Sequence, residues 1–274
     1  MAEFHVYGTA DGTLEYPDVR RISVSDLSDA LRTGVEDFME KPTHLIFIGV
    51  IYPLVGVVLA TWTSGANALP LLFPLASGFA LIGPVAAIGL YEISRRREQG
   101  LEASWRDALE VRHSPALPSI LAVGALLVAI FIAWLLVAQG LYTALMGPVP
   151  PASITAFLDQ ILTTREGWML IILGNAIGLL FAVVALCTSV VAFPLLLDRD
   201  VGAWVAVQTS WRAAMANPIE IAIWGLIVAA LLVIGSIPIF AGLAVVMPIL
   251  GHSTWHLYRR LVEPPARRSE RAVG

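Results

Sequence analysis

The sequence predicts an all-α, polytopic membrane protein: six transmembrane helices in three hairpins, each preceded by an amphipathic helix on the cytoplasmic interface. Three observations carry that expectation. Of 274 residues, 57% are hydrophobic and 14% charged, with a mean hydropathy of +0.77. Soluble domains carry about 25% charged residues, so the chain has too little charge to clothe a water-exposed surface of its size. Long apolar runs recur along it, and the basic residues cluster in the segments between alternate runs.

Taken in order, residues 1–24 form a polar segment of mixed charge, expected in the cytoplasm. It lacks the basic start and short apolar core of a signal peptide, so the first span is expected to act as its own signal-anchor. A span needs roughly 17–25 mostly apolar residues. Residues 45–62 and 68–91 meet this, joined by the polar turn Thr63-Ser64-Gly65-Ala66-Asn67, and so do 118–146 and 168–197. The run 219–256 is too long for one span: as a single helix it measures about 57 Å against a hydrocarbon core of about 30 Å. Gly235-Ser236-Ile237-Pro238 lies near its middle, where proline removes a backbone donor and glycine tolerates a turn. Two spans are therefore expected, 219–234 and 238–255. The six-span domain covers residues 25–262, and 263–274 form a basic cytoplasmic tail expected to lack fixed structure.

Charge placement supports this count independently. With six spans and both ends in the cytoplasm, every basic residue except Arg165 lies inside; with five, Arg259, Arg260, Arg267, Arg268 and Arg271 would move outside as well. The positive-inside rule favours six. Trp62 and Trp168 then fall near the outer boundary, where aromatic rings prefer to sit.

A threefold pattern runs through the chain. Apolar stripes at helical spacing precede each hairpin: Leu27, Leu31, Val35 and Phe38; then Leu101, Trp105 and Ala108-Leu109; then Trp204, Val207-Gln208, Trp211 and Met215. Such stripes suit helices lying in the interface. Ser104-Trp105-Arg106 matches Ser210-Trp211-Arg212, and Pro42, Pro115 and Pro218 follow the three stretches. In the returning helices, Pro84, Pro194 and Pro248 each precede the cytoplasmic end by about two turns. The spacing favours three repeated units over chance matches.

Counting from those prolines brings ionisable groups to similar depth: Glu92, Asp198, His252 and His256, with Arg95, Arg199, Asp200 and Arg259 close by. Positions i, i+4 and i+8 drift slowly round one helix face. One reading is a cytoplasmic polar site made of Glu92, Arg95, Asp198, Arg199, Asp200, His252 and His256. His252 and His256 would then chelate a metal, with Asp198 or Glu92 as oxygen ligand. The favoured reading is that the groups pair with the arginines and pin the helix ends at the interface. Haem ligation by His252 would need a second axial group that the sequence does not reveal, and no cofactor is indicated. His44 and His113 read as interfacial residues.

Weaker signals sit in the spans and the outer loop. Gly174 and Gly178 form a GxxxG pair that suits close helix contact, within the chain or between chains. Gln139 and Asn175, the polar residues nearest a membrane interior, are able to hydrogen-bond between helices, but two amides do not define a transport path. The loop 147–167 turns amphipathic through Ile154, Phe157, Leu158 and Ile161. Cys187 is the single cysteine, so no intrachain disulfide forms. There is no Walker loop, nucleophile elbow or HExxH motif, and a net charge of −4 gives no reason to expect nucleic acid.

Three segments resemble one family. They are Gly83-Pro84 through Gly89-Leu90-Tyr91-Glu92-Ile93-Ser94-Arg95, then Pro194-Leu195-Leu196-Leu197-Asp198-Arg199-Asp200, and Pro248-Ile249-Leu250-Gly251-His252-Ser253-Thr254-Trp255-His256-Leu257-Tyr258-Arg259, with Asn217-Pro218 fitting too. Together they resemble the bacterial domain-of-unknown-function 2189 family of predicted integral membrane proteins over about residues 25–262. Ser253 stands where the family usually has alanine. The resemblance implies an α-helical protein of a proteobacterial inner membrane and no established activity. Respiratory-oxidase labels on some members point weakly towards respiratory complexes.

The sequence thus leads to a multi-pass inner-membrane protein, not an enzyme, acting as an accessory or interaction subunit in contact with the bilayer and a membrane-protein partner or a second copy of itself. The alternatives are a small-molecule or ion transporter, or a metal- or haem-binding protein using the cytoplasmic ends of the returning helices.

Overall fold

A computed structural model describes residues 16–40, 69–71, 73–75, 81, 83–104, 107–149, 151–238 and 241–264. The expected first span, much of the second, His44, Trp105 and the tail beyond residue 264 lie outside them. Among the described residues the regular elements are helical, and the only β feature is an isolated bridge between Val19 and Val262. The helices are α1 (Val24–Glu40), α2 (Gly83–Ala86), α3 (Ile88–Glu98), a 3-10 turn at Asp107–His113, α4 (Leu117–Met146), α5 (Ile154–Thr163), α6 (Arg165–Ser189), α7 (Ala192–Asp198), α8 (Ala203–Ala216), α9 (Pro218–Ser236) and α10 (Leu243–Leu261).

Among the described residues, three stretches are long and apolar enough to cross a membrane: Leu117–Met146, Arg165–Asp198 and Pro218–Ser236. They contain the expected third, fourth and fifth spans. Their outward side chains are large and apolar, Leu121, Leu136, Leu179, Leu180, Leu226 and Val233 among them, a surface that water would not tolerate at this extent. Residues 190–191 bend the second stretch into α6 and α7. The Gly174–Gly178 pair serves packing inside the chain, since a Cβ on Gly178 would lie 3.1 Å from the Trp134 ring. Gln139 and Asn175 do not bridge helices among the described residues. Each bonds within its own helix, Gln139 to Thr143 Oγ1 at 3.2 Å and Asn175 to the Ile171 carbonyl at 2.8 Å.

The expected break is present: α9 ends at Ser236 and α10 starts at Leu243, later than Pro238. The two helices pack most closely glycine to glycine, where a Cβ on Gly242 would come within 2.8 Å of the Gly235 carbonyl oxygen. The amphipathic outer loop is the helix α5, capped by Ser153 Oγ, which accepts from the Ala156 amide at 3.1 Å.

The three amphipathic stretches take three different forms. α1 packs against α10, with Leu27 and Phe38 buried and Val24, Val35 and Met39 left exposed. The helices almost touch: a Cβ on Gly34 would fall 2.0 Å from Ser253 Oγ and 2.7 Å from its Cα. Of the second stretch, residues 101–104 form no helix and 107–113 make a 3-10 helix, while Trp105 lies outside the described residues. In α8 the small residues Ala206, Thr209, Ser210 and Ala213 pack inward, leaving Trp204, Trp211 and Met215 exposed. The prolines differ too: a turn follows Pro84 at residue 87, one precedes Pro194, and α10 runs unbroken through Pro248.

Residues 18–22 dock α1 onto the far end of α10. The Arg20 amide donates to the Leu261 carbonyl at 2.8 Å and the Glu263 amide to that of Asp18 at 3.1 Å. Asn217, 1% exposed at the α8–α9 junction, accepts from the Ile22 amide at 2.8 Å and donates to the carbonyls of Arg20 and Ala213.

A polar layer where the returning helices meet

The C-terminal ends of α3, α7 and α10 converge with α1 to form a polar layer at one end of the bundle. Its first cluster centres on Asp37 of α1, which is 4% exposed. Arg97 of α3 pairs with Oδ1 and also reaches Glu40. On the other oxygen, Ser94 Oγ donates at 2.5 Å and His256 Nε2 at 2.9 Å. With its only proton committed to Asp37, Ser94 Oγ accepts from His252 Nδ1 at 2.8 Å. The His252 ring is fully buried, and its Nε2 has no partner among the described residues. Burial pushes the Asp37 carboxyl upward. The hydrogen bonds from His256 and Ser94, with the two imidazoles nearby, outweigh that and hold it below the ordinary carboxylate range.

The second cluster joins α3, α7 and α10. Glu92, 3% exposed, accepts from Arg95 Nε at 2.8 Å and from Arg96 Nε at 3.0 Å. Asp198 accepts from the Tyr258 hydroxyl at 2.6 Å, from Arg259 NH1 at 3.3 Å and from Arg199 Nε at 3.4 Å. Burial, together with the Asp198 charge, pushes the Tyr258 phenol up. Glu98 accepts from Trp255 Nε1 at 3.1 Å and Arg259 Nε at 2.9 Å. An open cleft of about 400 Å³ borders this cluster, between the end of α3, the 3-10 turn and the end of α7.

The seven residues singled out in the sequence thus divide between two clusters. Glu92, Arg95, Asp198, Arg199 and Asp200 line the cleft, whereas His252 and His256 turn towards Asp37. The expected partnership of that pair with Asp198 or Glu92 is not found: those carboxylates are held by arginines and Tyr258. Among the described residues no group of three or more His, Cys, Asp and Glu side chains is placed to hold a metal ion. His113 pairs with Glu110 at 3.4 Å on the surface. Sequence reasoning missed Asp37, Ser94, Arg97, Glu98 and Tyr258. Asp37 left a signal, as a charged residue at helical spacing within the apolar face Leu27, Ala30, Gly34 and Phe38 of α1.

Long apolar helices and a polar layer at one end define an α-helical integral membrane protein. Residues 72–198 match the family described as Predicted integral membrane protein (DUF2189). The match takes in the Glu92 and Asp198 segments and stops short of Asn217-Pro218 and Pro248 to Arg259, so it is shorter than the expected 25–262. No curated protein and no solved structure matches the chain.

Proposed function

We propose that the chain is a non-catalytic accessory or interaction subunit of an inner-membrane complex, with respiratory complexes the first to examine. The observation that supports this best is the closure of the polar layer. Asp37, Glu98 and Asp198 each accept from an arginine on another helix, so these three carboxylates act as clamps between helices. The exposed Trp204, Trp211 and Met215 face of α8 then meets inner-leaflet lipid or a partner's helix. The polar layer faces the cytoplasm in a six-span topology with both ends inside. The Val19–Val262 bridge supports that topology, because ends on one side require an even number of crossings, and the basic residues favour the inside. Mild detergent extraction at natural expression level, followed by mass spectrometry, tests the function. A stoichiometric membrane partner is expected, and a lone monomer would overturn it. Labelling of cysteines placed at each terminus tests the orientation.

A carrier is the second reading, favoured by the cleft beside Asp198. It predicts substrate-dependent flux in vesicles containing the purified chain. Metal or haem binding has less support, since His256 bonds to Asp37 and His252 to Ser94; a metal content or a haem absorption band in the purified protein would revive it.

A further inference from the structure

The cleft between α3, the 3-10 turn and α7 carries a charge pattern that the clamp alone does not require. Arg95, Arg96 and Arg199 line it together with Glu110 and Asp200. Glu92 holds the first two guanidiniums in place from below. Arg95 donates through Nε and NH2 to Glu92 and through NH1 to the Leu197 carbonyl. A guanidinium carries five N–H donors in a planar fork, so Arg95 retains further N–H groups in a geometry suited to phosphate oxygens. Glu110 is half exposed and paired only loosely with His113 at 3.4 Å. The volume, about 400 Å³, is in the range of small-molecule sites.

Its position is equally specific. Ser114, Pro115 and Ala116 form one wall immediately before α4, the longest apolar helix, and Leu196 and Leu197 form another. On the orientation proposed above, the cleft opens where phospholipid headgroups lie. Because cations and anions are nearly balanced, a multiply charged anion such as a nucleotide would meet carboxylates at close range, where repulsion is strong. A ligand with one charge of each sign meets neither problem.

We propose that this cleft binds a zwitterion bearing a phosphate and a primary ammonium, namely the headgroup of an ethanolamine phospholipid. The phosphate engages Arg95, Arg96 and Arg199, and the ammonium donates to Glu110 and Asp200. A quaternary ammonium has no N–H to donate, so choline headgroups bind less well. This inference rests on the proposed orientation, which terminal labelling tests separately.

The experiment is native mass spectrometry of the full chain equilibrated with equimolar ethanolamine, choline and glycerol phospholipids of the same acyl chains. Wild type is expected to retain the ethanolamine lipid about tenfold over the others, the size of one charge-assisted bond. The surface double variant Glu110→Gln/Asp200→Asn leaves the cleft net positive and is expected to switch its preference to the anionic glycerol lipid. Such a gain cannot come from misfolding. An even lipid distribution in wild type, or an unchanged one in the variant, overturns the proposal. Binding of free phosphoethanolamine without lipid adducts overturns the lipid source and leaves the zwitterion chemistry standing.

Discussion

Asp37→Ala removes one carboxylate that serves three helices at once. Its loss leaves the Arg97 guanidinium, 19% exposed, without its buried partner, and Ser94 and His256 without their acceptor. Breaking a buried pair from one side costs about 3–5 kcal/mol, because a charge remains in a poorly solvated place. The segment at risk is α1, whose apolar contribution is a few side chains such as Leu27 and Phe38. Local undocking is therefore expected before global unfolding. At 1.4 kcal/mol per factor of ten, the open population should rise by roughly two to three and a half orders of magnitude. Hydrogen exchange of the purified full chain reads this directly, as lost protection of amides 27–38 with α4 and α6 unchanged. Asp37→Asn, which keeps an acceptor but loses the charge, should fall in between. Asp37→Ala/Arg97→Met should recover part of the loss, since the stranded cation is gone. Protection within about threefold of wild type in Asp37→Ala, or no recovery in the double variant, would refute the clamp.

Three further outcomes follow. Asp37 and Asp26 both have carboxyls held below the ordinary range, so each adds stability above its unfolded value near 3.9 that is lost as pH falls through the folded one; α1 should become protease-sensitive on strong acidification, and Asp37→Asn should flatten that transition. Gly34→Ala should displace α1 at a cost of about 1–3 kcal/mol, and Ser253→Ala should not rescue it in a thermal-shift assay, because the Ser253 amide nitrogen at 2.6 Å also blocks the new methyl. Asn217→Ala loses one buried and two part-buried hydrogen bonds at about 1 kcal/mol each; exchange should rise at Ile22, and an unchanged rate there would count against the docking of residues 18–22.

The membrane class was legible because it depends on run length and composition, which are local. The 235–238 break was legible for the same reason: glycine and proline act on their own backbone, and the structure adds only the glycine-to-glycine contact with Gly242. Counting four or eight residues beyond the prolines picked out Glu92, Asp198 and His252, which do lie in the polar layer, although a turn at residue 87 interrupts the first count. It could not assign partners. Periodicity shows that α1 has an apolar face but not what covers it; its inner residues pack on α10 while Val24, Val35 and Met39 remain exposed. In α8 Trp204, Trp211 and Met215 of the expected stripe are exposed, and what periodicity did not show is the opposite face, whose small residues allow close approach to α6 and α7.

The burial of so many charges near α10 needs its own reason, since a buried ion pair adds little net stability over an apolar one. Register supplies it. Apolar helix faces slide past one another at small cost, and inside a membrane the lipid is as apolar as the helix, so greasy contact selects no unique pairing. Along α1, three separate contacts fix one antiparallel register on α10: Asp26 and Asp29 on Arg260, Gly34 under Ser253, and Asp37 on His256. A slip of one turn, about 5.4 Å, would strand Asp37 and Arg260 and move the only residue small enough for the Ser253 crossing out of place. No single mismatch is needed to reject the slipped state, because all three fail together. The polar layer therefore selects which helices meet and at what height.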